Sequence, residues 1–102
     1  MASEGLHEPA DEMSAEVIDR HRAITSLMEE LEAVDWYDQR CSATKDSSLA
    51  EILAHNRDEE KEHASMLLEW LRRHDPALDR NLRHYLFTDE PILEIEEASE
   101  ED

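Results

Sequence analysis

One glycine and three prolines in 102 residues leave this chain few places to turn. A β-rich or loop-rich fold spends those residues freely, so their scarcity favours a few long helices. Pro9 suits a first helical position, and Asp11 and Glu12 sit favourably near a helix N-terminus. From there to about Arg40 nothing interrupts the chain. Val17, His21, Ile24, Met28 and Leu31 recur at 3–4 spacing, with a second stripe of Ala23, Leu27, Glu30, Val34 and Tyr37 beside it.

Residues 41–47 (CSATKDS) read as a short polar connection. Ser48-Leu49-Ala50-Glu51 then fits a capping box, with Ser48 capping and Glu51 reaching back. A second helix follows to about His74. Asp75-Pro76 ends it and starts a third, shorter helix carrying Leu78, Leu82, Tyr85 and Leu86. The expected organisation is a disordered lead at 1–8, a helical domain at 9–87 and a solvated acidic tail at 88–102. The short first connection folds the two long helices into an antiparallel hairpin. The fold class is therefore all-α: two long antiparallel helices plus a short C-terminal one. Helix two carries apolar residues around much of its surface (Leu49, Ile52, Leu53, Met66, Leu67, Leu68, Trp70, Leu71), more than one partner helix covers. An obligate homo-oligomer is expected, at least a dimer.

Acidic residues number 28 against 10 basic ones, a formal charge of −18. Phosphate recognition needs clustered Lys and Arg, so nucleic acid and anionic membranes are not expected partners. Cations are, because a dense carboxylate surface raises their local concentration. No apolar run approaches 18 residues and no signal segment opens the chain. Cys41 is alone, so no internal disulfide framework is expected, and the chain leans towards a reducing cytoplasm.

The seam of helix two runs Leu49, Leu53, Asn56, Glu60, His63, Leu67, Trp70. Three consecutive polar positions interrupt an apolar ridge, and burying a carboxylate without compensation costs several kcal/mol. An ion pair, a polar network or a metal has to offset that. Helix one offers Glu30, on the stripe between Leu27 and Val34. At ~1.5 Å rise per residue, Glu30 lies ~15 Å below the loop end of its helix, and Glu60 and His63 lie ~18–22 Å along theirs. The three meet at one level of the hairpin. Carboxylate di-iron bundles take one Glu from each of two helices and a Glu-x-x-His from each of the other two. This chain supplies half of that set, and a twofold dimer supplies six ligands for two metals. The i, i+3 spacing puts carboxylate and imidazole on one face; carboxylates bridge cations while neutral imidazole binds terminally. Glu29 and Glu32, on adjacent faces of helix one, are placed to handle incoming cations.

Other residues carry blander readings. Glu59, Lys61 and Glu62 are solvated charges, and His21, His55, His74 and His84 are surface or interface histidines. Met and Trp side chains belong to the core. Cys41 has no base or resolving partner in sequence and no nucleophilic role is expected. Two other functions fit the seam: a dimeric protein that binds zinc or manganese without turnover, and a helical adaptor whose Glu and His fix register.

Two blocks, HRAITSLMEELEAVDWYDQR at 21–40 and ILAHNRDEEKEHASMLLEWLRR at 52–73, resemble the encapsulated ferritins, the short ferritin-like proteins carried inside encapsulin shells. The resemblance covers roughly residues 7–102. It implies a ferritin-like subunit whose homodimer recreates the four-helix bundle, with dimers forming a decameric ring inside a cytoplasmic encapsulin nanocompartment. It also implies a ferroxidase centre at the dimer interface, two iron ions per interface, oxidised from iron(II) to iron(III) by dioxygen for mineralisation and storage. Carried over by position, the iron ligands are Glu30, Glu60 and His63 of both subunits. Glu29 and Glu32, with Trp36 nearby, match a secondary site that also takes other divalent cations, and Tyr37 stands behind the ligands. Family members usually end in a short apolar peptide with Gly and basic residues that docks on the shell wall. This sequence stops at EEASEED, so either such a peptide follows it or loading proceeds otherwise.

Overall fold

The computed structural model describes residues 5–101, in two compact units that divide between Leu71 and Arg72. Among these residues four α-helices form and no strand: α1 (Ala15–Ala43), α2 (Ser47–Arg73), α3 (Pro76–Tyr85) and α4 (Ile92–Glu101). The all-helical class expected from the scarcity of breakers is the one observed. Residues 1–4 of the expected disordered lead lie outside the described residues, and 5–8 form no helix.

The first helix begins later than the sequence reading has it. Pro9 starts only a 3₁₀ turn over Ala10–Glu12, and Met13 is extended. Ser14 is the true cap, its Oγ accepting from the Val17 amide at 3.2 Å. The helix then runs 29 residues, about 44 Å at 1.5 Å per residue. It ends where Thr44 turns extended and donates its amide to the Arg40 carbonyl at 3.1 Å.

The connection is also tighter than expected, because α1 continues to Ala43 and α2 starts at Ser47. Thr44 Oγ1 accepts from the Asp46 amide at 3.2 Å. Asp46, not Ser48, caps α2: its Oδ1 accepts from the Leu49 amide at 2.9 Å and from the Ser48 hydroxyl at 3.1 Å. Those two contacts, the Leu49 amide first, hold the Asp46 carboxyl below the ordinary carboxylate range. Ser48 thus supports the cap from inside the first turn instead of forming it.

Within the first unit α1 and α2 form an antiparallel hairpin, as three polar contacts demonstrate. Cys41 Sγ approaches the Ala50 carbonyl at 3.5 Å, Arg57 Nη1 meets Asp38 at 2.9 Å, and His63 Nδ1 faces Glu30 at 3.6 Å. As the α1 partner steps back towards the N-terminus, the α2 partner advances. The second stripe of α1 therefore faces α2: Ala23 is buried, and Leu27, Glu30, Val34 and Tyr37 are half-buried. On the first stripe Val17, Ile24 and Leu31 stay exposed.

Ala23, Ala64 and Leu71 are the buried side chains among the described residues, and no large side chain is fully enclosed. Leu49, Ile52 and Met66 of α2 are exposed, consistent with more apolar surface than one helix can cover. Trp36 and Met66 correct the expectation that Met and Trp side chains belong to the core, since both are exposed.

In the second unit Asp75 caps α3 as expected, accepting from the Leu78 amide at 3.1 Å, with Pro76 in the first turn. Arg72 and Arg83 both donate to Asp79; these bonds, Arg72's first, pull its carboxyl below the ordinary range against the opposing effect of partial burial. Beyond α3 the tail is exposed as expected, with Ile95 the exception through residue 99, but its last stretch is helical where disorder is expected. The amides of Glu94 and Ile95 bond the Pro91 carbonyl at 3.0 and 3.2 Å, opening α4. His84 Nε2 lies 3.3 Å from the Ile95 carbonyl and ties α4 to α3, with Ile95 half-buried. The acidic run obscured that apolar foothold. Phe87, between the two helices, has φ 61° and a wholly exposed side chain, a left-handed position that glycine usually fills.

Candidate metal centre

Glu30 stands in the middle of α1, and Glu60 and His63 one turn apart on α2, so the hairpin brings together three residues from the half-buried seam. One carboxylate oxygen from each Glu and one ring nitrogen of His63 all lie within 4.8 Å of one another. His63 Nδ1 is 3.6 Å from Glu30 Oε2 and 3.5 Å from Glu60 Oε2. These separations exceed the hydrogen-bonding range. They fit a shared ion instead: with metal–ligand bonds of ~2.1 Å, two donors on one ion stand ~3.0–4.2 Å apart according to geometry. A pair at the full 4.8 Å would have to close by ~0.6 Å to stand opposite each other on one ion and by more than ~1 Å in a tetrahedral arrangement.

The electrostatics agree with the geometry. Among the described residues no Arg or Lys pairs with Glu30 or Glu60, and the imidazole is their common partner. The donor set of two carboxylates and one imidazole suits a borderline divalent ion such as iron(II), manganese or zinc, and leaves coordination positions open.

The other residues singled out in the sequence are placed as follows. Glu29 is exposed and Glu32 half-buried, and no group of three ligand atoms forms around them among the described residues. Trp36 and Tyr37 engage Arg40, whose guanidinium carbon lies 5.9 and 5.7 Å from the two ring centroids. His55 pairs with Glu59 along one turn at 3.6 Å. Cys41 is a free thiol, half-buried against the second helix.

The sequence reading missed an ion network on the loop side of the centre. Arg57 bonds Asp38 across the hairpin at 2.9 Å and Asp58 at 3.1 Å, and Lys61 reaches Asp58 at 3.2 Å. The arginine bond first, then the lysine bond, hold the Asp58 carboxyl below its ordinary range. A signal was present: Ala50, Arg57, Ala64 and Leu71 are spaced by seven, so Arg57 interrupts a repeat of small and apolar residues.

A family described as EncFtn-like matches residues 5–89. An encapsulated ferritin-like protein of Rhodospirillum rubrum is 61% identical over 97 residues, 95% of this chain and 69% of that protein. A ferritin-like protein of Thermotoga maritima is 60% identical over 93 residues, 91% of this chain and 82% of that protein. The chain belongs to the EncFtn-like family. The family expected from residues 21–40 and 52–73 is thus the family found, and both blocks fall inside the matched span. Among solved structures, the crystal structure of protein ne0167 from Nitrosomonas europaea matches with a TM-score of 0.83 and 66% identity, over 86% of this chain and 97% of that one. For an EncFtn-like chain, Glu30, Glu60 and His63 are the residues its own geometry singles out.

Proposed function

We propose that the chain is a ferroxidase, with iron(II) as its substrate and dioxygen as the electron acceptor. The observation that carries this reading is the meeting of Glu30, Glu60 and His63 within 4.8 Å, with no Arg or Lys paired to either carboxylate among the described residues. Family membership and the ferritin-like names of the two relatives support an iron-related role.

One chain supplies two carboxylates and one imidazole, half of what a carboxylate di-iron bundle uses. The proposed unit is a homodimer in which two copies of Glu30, Glu60 and His63 enclose two iron ions. Exposed Val17, Ile24, Leu31, Leu49, Ile52 and Met66 supply apolar surface for that association and for a larger ring, the proposed decamer. In this unit the carboxylates of Glu30 and Glu60 draw in and bridge iron(II), and the two His63 rings fix its terminal positions. Dioxygen would take one electron from each of two iron(II) ions and two protons from water, leaving as hydrogen peroxide, while the carboxylates of Glu30 and Glu60 accommodate the rise to iron(III) before the ferric product leaves as mineral precursor. Glu29 and Glu32 are proposed to hand cations towards the centre and to bind other divalent ions, with Trp36 and Tyr37 beside that route. Mineral storage is proposed to occur in an encapsulin shell in the cytoplasm, since an open bundle has no cage of its own.

The test is aerobic iron(II) oxidation, followed by ferric absorbance, for the wild-type chain and for Glu30→Ala, Glu60→Ala and His63→Ala. The wild type should exceed the buffer rate by orders of magnitude and each substitution should return it close to that rate. Oxidation at the buffer rate by the wild type, with metal still raising dimer content, would leave a non-catalytic binding protein. No response to iron or zinc at all would leave an adaptor. Wild-type rates in all three variants would refute the ligand assignment.

A further inference from the structure

We propose that Arg57 is a positioning residue for the Glu30–Glu60–His63 cluster: a charged residue in the hairpin seam whose ion pair with Asp38 fixes the register of α2 against α1. The proposal rests on the metal-binding reading above only for its functional consequence; the register claim stands on the hairpin itself.

The seven-residue repeat that contains Arg57 holds both buried residues of α2. Ala64 and Leu71, one and two repeats further on, are two of the buried residues, and Ala50, one repeat before, carries the carbonyl that Cys41 approaches. Arg57 occupies this line with its side chain 23% exposed. A polar residue at one such seam position is the device that coiled coils use to select register, at some expense of stability. The hairpin needs one. Small alanines and a scarcely buried core interlock weakly, so apolar packing alone distinguishes neighbouring registers poorly. A slip of one residue moves α2 by ~1.5 Å along its axis with ~100° of rotation, enough to carry His63 away from Glu30.

The geometry of the pair suits the task. Arg57 lies one turn before Glu60, and its Nη1 reaches Asp38 on α1 at 2.9 Å while its Nε is held by Asp58 at 3.1 Å. The guanidinium is therefore fixed at both ends, and a directional planar group transmits that alignment to the next turn. Exposed ion pairs add little stability, and Asp38 and Asp58 are both exposed. The function of the pair is selection among registers, not tightness. This separates the proposal from an ordinary stabilising salt bridge.

The full chain tests it in two arms. In the first, cobalt(II) is titrated into wild type, Arg57→Met, Arg57→Lys, Asp38→Asn and the exchange Asp38→Arg with Arg57→Asp, with affinity and visible spectrum recorded beside thermal melts. Arg57→Met should melt no lower than wild type yet bind cobalt about 10-fold more weakly, the low end of the effect of supporting residues at metal sites. Its spectrum should broaden into more than one environment. Asp38→Asn should weaken binding similarly, and Arg57→Lys and the exchange should recover part of it. In the second arm register is read without metal, by the disulfide that Cys41 forms with Ala50→Cys as against Leu53→Cys within one chain. Arg57→Met should lower the preference for position 50.

If Arg57→Met and Asp38→Asn keep wild-type cobalt affinity, spectrum and crosslink preference, the positioning role is overturned and the metal centre survives. If the wild type binds no cobalt through Glu30, Glu60 and His63 while the crosslink preference still falls, the register claim stands and the metal reading fails. A fall in affinity matched by an equal fall in melting temperature in every variant, without crosslink change, would make the pair merely structural and defeat the proposal.

Discussion

Two groups of carboxylates in this molecule share a similar degree of burial and opposite circumstances. Glu30 and Glu60, in the hairpin, have side chains 27% and 24% exposed, and Asp79, in the C-terminal unit, 28%. Asp79 receives Arg72 and Arg83, two permanent cations supplied by the chain. Glu30 and Glu60 receive one imidazole between them at distances too long for hydrogen bonds. A half-buried carboxylate needs a positive partner; Asp79 has two guanidinium groups from its own unit, and Glu30 and Glu60 have only the shared imidazole among the described residues. Arg57 sharpens the contrast, because a guanidinium stands one turn from Glu60 yet is bound by Asp38 and Asp58 and leaves the glutamates unneutralised.

The strongest way to break this comparison is to give the glutamates what Asp79 already has, relief from their charge. Glu30→Gln with Glu60→Gln should melt higher than wild type in the absence of metal. It should also lose the stabilisation by divalent ion, about 2.7 kcal/mol when the free ion stands at 100 times its dissociation constant. Calorimetry with and without cobalt(II) reads both. A metal-induced gain equal to that of wild type would dissolve the distinction.

A smaller effect is expected at a carboxylate whose partner is backbone. Asp75→Ala should cost about 1 kcal/mol, the usual worth of an N-cap, with iron oxidation unchanged, measured by denaturant unfolding. The smallest is at Asp79 itself. Asp79→Asn should lower the melting temperature by a few degrees at neutral pH and leave metal binding intact. The folded carboxyl titrates below its unfolded value of ~3.9, so its contribution is complete above that value. It is lost as pH falls through the lower folded pKa. Melts of the two proteins should therefore converge only in strong acid. A gap that instead widened on acidification would contradict the pairing with Arg72 and Arg83.

These particular residues also show what was legible in the sequence. Asp75-Pro76 announced α3 because cap and first-turn proline act locally and nothing distant competes. Glu30, Glu60 and His63 were legible because helical spacing and helix rise fix both face and depth. Where local signals competed, reading failed. Pro9 and Ser14 both offer a helix start, and the 3₁₀ turn between them settled the matter for Ser14. Asp46 and Ser48 both offer a cap for α2, and the carboxylate, a stronger acceptor for the Leu49 amide, prevailed. The C-terminal helix was hidden by its charge, since a run of acids reads as solvated until Ile95 finds shelter beside α3. Arg57 was overlooked because a basic residue on a charged helix looks like solubility; its significance depends on Asp38, nineteen residues away. Pairing across α1 and α2 is tertiary information, and a single sequence carries it only as a pattern of sevens.

The antiparallel hairpin has a further consequence, in time. Its cross-helix contacts join residues ever more distant along the chain: nine apart for Cys41 and Ala50, nineteen for Arg57 and Asp38. Glu30 and His63 lie farther from the turn than either pair. Closing a loop becomes entropically dearer as it lengthens, so such a hairpin zips outward from its turn. Cys41 and Ala50 meet first, then Arg57 finds Asp38, and only afterwards does His63 arrive opposite Glu30. Glu30 and His63 are thus the last of these pairs to meet, on a hairpin whose alignment has already been chosen.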